Sequence, residues 1–142
     1  MQFPINLFTC SYGEFKPRMG HPVRVTVGFP KWLWYEVPSK FAPFTPQPEW
    51  LRGISKGEYE KRFYAQMAEV GERRIKQLLY AMATKNTTDA LVFLCYESKL
   101  SEENWCHRTM VRDWMRENAG LDIPELGKTQ AQLDAELPPG LF

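Results

Sequence analysis

The chain has 142 residues, a length that suits one domain with a proper core, and its 44% hydrophobic and 25% charged residues are ordinary for a globular protein. A formal net charge of +1 excludes recruitment of nucleic acid or membrane by a global field, so any anion recognition must be local. Three cysteines are too few, and odd in number, for a disulfide framework, so reduced thiols in a cytoplasmic protein are expected.

The opening segment Met1-Gln2-Phe3-Pro4-Ile5-Asn6 has no basic stretch ahead of a long apolar run and does not read as a signal peptide. No apolar stretch approaches the roughly 18–20 residues of a membrane span, and the longest, Ala90 to Tyr96, is strand-length. No membrane partner is expected.

The apolar run Asn6 to Cys10, ended by Ser11-Tyr12-Gly13, predicts a first strand and a turn. After the breaker Gly20-His21-Pro22, Val23, Val25 and Val27 alternate with Arg24 and Thr26, the period of a strand with one buried face. The stretch from Phe29 to Trp50 combines prolines with a large share of the aromatics. Proline resists regular structure and aromatic rings need burial, so an ordered loop packed on the domain is expected there.

Ser55-Lys56-Gly57-Glu58 has the S-x-x-E form of a capping box. Behind it, Tyr59, Phe63, Met67, Val70, Ile75, Leu78, Leu79 and Met82 fall mostly three or four apart, predicting one long helix to about Thr84 with Gly71 as a bend. The turn Asn86-Thr87-Thr88-Asp89 leads into Ala90 to Tyr96, a short continuous apolar run that predicts a strand covered on both faces, as in parallel sheets. A second helix is predicted from Cys106 to Ala119, ended by Gly120, and a short third one from Thr129 to Leu137. The expected architecture is α/β: a small, mainly parallel sheet with flanking helices. A core domain spans 1–120, and residues 121–142 form a C-terminal extension.

Ligands of open α/β sheets bind at the carboxyl ends of strands, where loops and helix N-termini converge. Glu97, one residue past the apolar run, and Cys106-His107-Arg108, in the first turn of the next helix, belong at such an edge. Glu97 and Cys106 are the candidate nucleophiles or base. A thiol at a helix N-terminus has a lowered pKa, and His107 is placed to move a proton. Arg108 has the fork geometry for a phosphate or carboxylate, and the helix end favours anions. Arg24 points away from the valine face and is a candidate for the same anion site. Lys31 and Trp34, beside Trp32 and Tyr35, combine a cation with rings that stack a base.

Each of these residues also has a plain structural reading. Glu97 is then a solvated carboxylate or a partner of Arg108, Cys95 and Cys106 are core filler, and His107 is a capping group. Arg24 is a surface charge, and the tryptophans are loop packing. No G-x-x-x-x-G-K-[ST], G-x-G-x-x-G or H-E-x-x-H motif occurs, so no cofactor is expected. Cys95, Cys106, His107 and Cys10 contain no C-x-x-C pair, and a metal site is not expected. Adjacent helix residues point about 100° apart, which makes Cys106 and His107 a poor catalytic pair.

Taken in order, Phe8-Thr9-Cys10-Ser11-Tyr12, Val23 to Pro30, Ile54 to Tyr59, Leu94-Cys95-Tyr96-Glu97 and Cys106-His107-Arg108 resemble the domain-of-unknown-function 488 proteins, small bacterial and phage α/β domains. The L-C-x-E … C-H-R pairing is the specific part. The resemblance implies an α/β fold with Glu97, Cys106, His107 and Arg108 as the signature site, adds Arg24, and extends more weakly to Ser11 and Tyr12. It supplies no activity. The loop between Glu97 and Cys106 and the C-terminal extension are longer than the family pattern.

Three functional classes follow. The first is an enzyme, a hydrolase or transferase, acting on a nucleotide or nucleic-acid-derived phosphorylated substrate; a base–sugar bond suits a lone carboxylate beside an anion clamp. The second is a non-catalytic module that captures a phosphorylated ligand with Arg108. The third is an interaction protein that uses the aromatic loop, in which the Glu, Cys, His and Arg cluster is structural.

Overall fold

In a computed structural model of the protein, residues 2–96 and 105–127 are described. Glu97 and the helix expected at Thr129 to Leu137 lie outside the described residues. Four parallel strands form one sheet: β1 (Asn6–Ser11), β2 (His21–Arg24), β3 (Ser39–Lys40) and β4 (Ala90–Cys95), in the order β1-β4-β2-β3. The register pairs Ser11 with Cys95 and Arg24 with Leu94, so β1, β4 and β2 end level with one another. This is the expected α/β architecture.

The pleat sorts β4 between two cores. Leu91 and Phe93 join Leu7, Val23 and Val25 in the larger core, which is closed by the helices α1 (Lys56–Val70), α2 (Glu72–Lys85) and α3 (His107–Ala119). Val92 and Leu94 join Cys10, Tyr12 and Phe15 on the other face, where Leu33, Tyr35, Val37 and Leu126 cover them. The sheet is therefore covered on both faces, by helices on one side and by irregular chain on the other.

Ser55 caps α1 by accepting from the Glu58 backbone N–H at 3.1 Å, as the capping box requires. The long helix expected through residue 84 is in fact two. Gly71 adopts φ +89° and separates α1 from α2, a conformation with no Cβ penalty only in glycine. The strand expected through Val27 stops at Arg24, whose Nη2 donates to the Val27 carbonyl at 2.8 Å and whose Nε donates to the Thr26 carbonyl at 3.2 Å. The side chain folds the next residues over the strand end and takes carbonyls that a neighbouring strand would otherwise engage.

The loop after β2 is only half packed. Phe41 and Phe44 stack on Phe93 in the core, and Tyr35 donates to the Tyr12 carbonyl at 2.6 Å. Trp32 and Trp34 are 64% and 72% exposed, contrary to the burial expected for this stretch. The described part of the extension, residues 121–127, packs on the domain. Thr9 donates from its amide to the Pro124 carbonyl, Leu126 donates to the Thr9 carbonyl, and Ile123 is buried in the larger core. Residues 124–126 thereby close the free edge of β1.

Gly20 leads into β2 at φ +143°, and a Cβ there would stand 2.9 Å from the Ala90 carbonyl oxygen and 3.0 Å from the Ala90 Cβ. Gly20→Ala is expected to lower the free energy of unfolding by about 1–3 kcal/mol. Urea denaturation measures this; a midpoint equal to wild type would show that β2 does not need this close approach to β4.

Candidate functional site

The loops leaving β2 and β4 meet the start of α3 around a cleft of about 340 Å3. One wall is Thr26, Val27 and Gly28; the floor is Cys95, Cys106 and His107. Trp50, Tyr59, Tyr96 and Trp105 supply most of the remaining surface, with Pro46, Leu51 and Ile54. The rings brace one another edge to face: Tyr59 stands 5.8 Å from Trp50 and 5.0 Å from Trp105 between centroids. Lys56 holds its Nζ 5.9 Å from the centre of the Trp105 ring. Gly28 lets the Tyr96 side chain approach closely: the Tyr96 hydroxyl lies 2.7 Å from where a Cβ would be and would have to shift for any larger residue.

Cys106 is the N-cap residue of α3, and its carbonyl accepts from the Thr109 hydroxyl at 2.8 Å. Its sulfur is joined to that of Cys95, tying the end of β4 to the start of α3. This corrects the expectation of reduced thiols, and a half-cystine offers no thiolate nucleophile. Sequence could not reveal the bond, since the partners are 11 residues apart and meet only because β4 and α3 converge. Cys10 remains free and buried, its thiol pushed up to about 12 by burial and then by Glu125 and Glu14.

His107 is buried, and its Nε2 lies 2.6 Å from the Val25 carbonyl oxygen. A carbonyl only accepts, so Nε2 carries the hydrogen and Nδ1 holds a lone pair. Nδ1 faces the two sulfurs, 3.6 Å from Cys95 Sγ and 3.8 Å from Cys106 Sγ. Burial, foremost, pushes the His107 pKa down to about 4, with the Arg108 charge adding in the same direction and the Val25 hydrogen bond opposing. The ring is neutral at pH 7, so it holds a lone pair on Nδ1 rather than a charge that could clamp an anion. Phe63 packs against it at 5.6 Å between centroids.

Arg108 is one helix position on and points elsewhere. It is 1% exposed and its Nε donates to Glu125 Oε1 at 2.6 Å, while the same oxygen accepts from the Thr9 hydroxyl at 2.9 Å. Among the described residues, Nη1 and Nη2 have no hydrogen-bond partner. Arg108 does not line the cleft, so it is not the anion fork expected there: a step of about 100° along the helix sends His107 and Arg108 to different neighbours.

The remaining expected residues are dispersed. Arg24 braces the Thr26–Val27 wall and stands 5.5 Å from the Phe29 ring centre, outside the cleft lining. Ser11 is buried and donates to Glu14 Oε1 at 2.9 Å; Tyr12 is buried with its hydroxyl 2.6 Å from that of Thr26. Lys31 and Trp34 belong to the loop on the other side of β2 and do not line the cleft. The rings that line it are Trp50, Tyr59, Tyr96 and Trp105 instead. Sequence offered no flag for them, because Tyr59 looks like one more residue of an apolar helix stripe and Trp105 sits just before the C-H-R tripeptide.

Glu125→Ala is expected to cost roughly 3–5 kcal/mol, since it removes the carboxylate to which the buried guanidinium donates. A double variant with Arg108→Met should recover much of that loss. Chemical denaturation of the three variants reads the coupling; additive losses would show that the pair is not a unit.

One group among the described residues has metal-ligating spacing: Cys95, Cys106 and His107, with donor atoms all within 4.8 Å of one another. No helix among the described residues is long and apolar enough to cross a membrane.

No curated protein and no solved structure matches the chain. A family model described as the active DUF488-N3 subclade, DUF488-N3a, matches residues 16–119, which include β2, β3, β4, all three helices and the whole cleft lining. The match covers well over half of the chain, and the protein belongs to the DUF488-N3a family.

Proposed function

We propose that the protein is an enzyme acting on a nucleotide or a nucleic-acid-derived phosphorylated substrate held in the aromatic cleft. The carrying observation is the cleft itself. It opens at the carboxyl ends of parallel strands, is about 340 Å3 in volume, and is lined by four aromatic residues. Base–aromatic stacking contributes about 1–3 kcal/mol per base. Thr26 to Gly28 line the opposite wall, their carbonyls already engaged by Arg24 and by the Thr26 hydroxyl. Positive charge comes from Lys56 at the Trp105 side and from the first turn of α3, which contains no acidic residue.

Chemistry at this cleft is assigned to Glu97, the second residue after β4 in the chain, as nucleophile or general base. His107 Nδ1 is a neutral acceptor on the cleft floor, positioned to assist proton transfer. Arg24 is a positioning residue, holding the Thr26–Val27 wall. The description of the matched subclade as active supports an enzyme over a pure binding module. A base–sugar bond is the bond class that a carboxylate acting as nucleophile or base beside stacked rings would suit.

A second reading has its own support. The exposed Trp32 and Trp34 are apolar surface outside the cleft lining, as on a protein-binding loop.

Mononucleotides and short single-stranded oligonucleotides of each base are the test ligands, with thermal shift for binding and chromatography for released base. Wild type should be stabilised by at least one of them. Trp105→Ala should lose that stabilisation, and Glu97→Gln should retain binding while turnover falls at least about 100-fold. No stabilisation by any of these ligands, or full turnover by Glu97→Gln, would contradict the proposal.

A further inference from the structure

The floor of the cleft is more than a brace. Two sulfurs and one imidazole nitrogen converge there from two separate elements, and all three residues face the open volume. We infer that, once their disulfide is reduced, Cys95, Cys106 and His107 form a binding site for a thiophilic divalent cation, with zinc as the ion this donor set selects.

Four observations carry the inference. First, His107 Nδ1 lies 3.6 and 3.8 Å from the two sulfurs, close to the edge of a tetrahedron with metal bonds of about 2.0–2.3 Å, and breaking the disulfide frees the sulfurs to part around an ion. Second, the Val25 carbonyl holds the hydrogen on His107 Nε2, so the lone pair on Nδ1 is directed at the sulfurs. A hydrogen bond of this kind from the non-ligating nitrogen is the usual device that orients a metal-binding histidine. Third, the Cα atoms of Cys95 and Cys106 are 7.1 Å apart, beyond the roughly 4.4–6.8 Å common for disulfides, while a metal between two sulfurs accommodates a wider spacing. Fourth, the site is buried, and two thiolates with one divalent cation are electrically neutral, whereas the same two thiolates alone would place two charges in a low dielectric.

Two thiolates and an imidazole select a borderline-soft ion over magnesium or calcium, which take oxygen donors. Three protein donors leave a fourth position, and it faces the cleft. That is the arrangement of catalytic rather than structural zinc.

The conversion balances with an external dithiol as reductant. The dithiol gives two electrons and two protons to the Cys95–Cys106 bond, and its own sulfurs join. The two liberated thiols then lose their protons to solvent as the cation binds. The cation replaces the disulfide as the link between β4 and α3, so the junction survives the change of state.

This inference is independent of the proposed substrate, because binding is read without one. Full-length protein reduced with a phosphine, stripped of metal and titrated with cobalt(II) should take up one equivalent. Thiolate-to-cobalt charge-transfer absorption should appear in the near ultraviolet with tetrahedral bands in the visible, and one equivalent of zinc should abolish both. Cys95→Ser with Cys106→Ser should remove the charge-transfer band. His107→Ala should weaken cobalt binding at least about tenfold, and Cys10→Ser should behave as wild type. The oxidised protein should give no band. A reduced wild type without charge-transfer absorption overturns the inference whatever the variants do, and so does a band that survives loss of both Cys95 and Cys106 or depends on Cys10.

Discussion

The hydrogen bond from His107 Nε2 to the Val25 carbonyl is the contact on which the site depends. It joins the first residue of α3 to the residue just past β2, and the Cys95–Cys106 link joins the same helix start to the end of β4. Two parallel strands and one helix thus meet within a few ångströms at the level where β1, β4 and β2 all end. A parallel sheet leaves this edge to loops and helix ends, so whatever fills it decides whether the edge is sealed or open. Here one imidazole and two sulfurs fill the bottom and leave an aromatic-walled volume above them.

The tripeptide Cys106-His107-Arg108 divides its work by helix geometry. Cys106 is still extended and faces β4; His107 begins the helix and faces β2 and the cleft floor; Arg108, about 100° further round, reaches the far side of β1. There it meets Glu125, which arrives with the segment that closes the β1 edge and which also accepts from Thr9. The guanidinium is therefore a buried tie between helix, edge strand and extension. Its energetic importance lies in the cost of leaving it unpaired, not in the net attraction of the pair.

Much of the fold was legible because it follows from short-range rules. The apolar run Ala90 to Cys95 could only be a strand covered twice, Val23 and Val25 alternated with Arg24 and so shared the core-facing side, and Ser55 with Glu58 marked the start of α1. What stayed hidden depends on distant partners. Nothing near Arg108 in sequence announces Glu125, nothing near Cys95 announces Cys106, and Arg24 gave no sign that it would turn back onto its own strand end. The place of the cleft was legible, its lining was not. Strand end and helix start do border it, yet the rings that line it come from Trp50, Tyr59, Tyr96 and Trp105, whereas Lys31 and Trp34 were the pair with the more suggestive chemistry.

The central claim is that the volume above His107 receives the ligand. Chemical-shift mapping of isotopically labelled protein during titration with mononucleotides addresses it residue by residue. The account predicts perturbations centred on the amides of Thr26 to Gly28 and Cys106 to His107 and on the Trp105 indole. Shifts confined to Trp32 and Trp34 would place recognition on the exposed loop and contradict it.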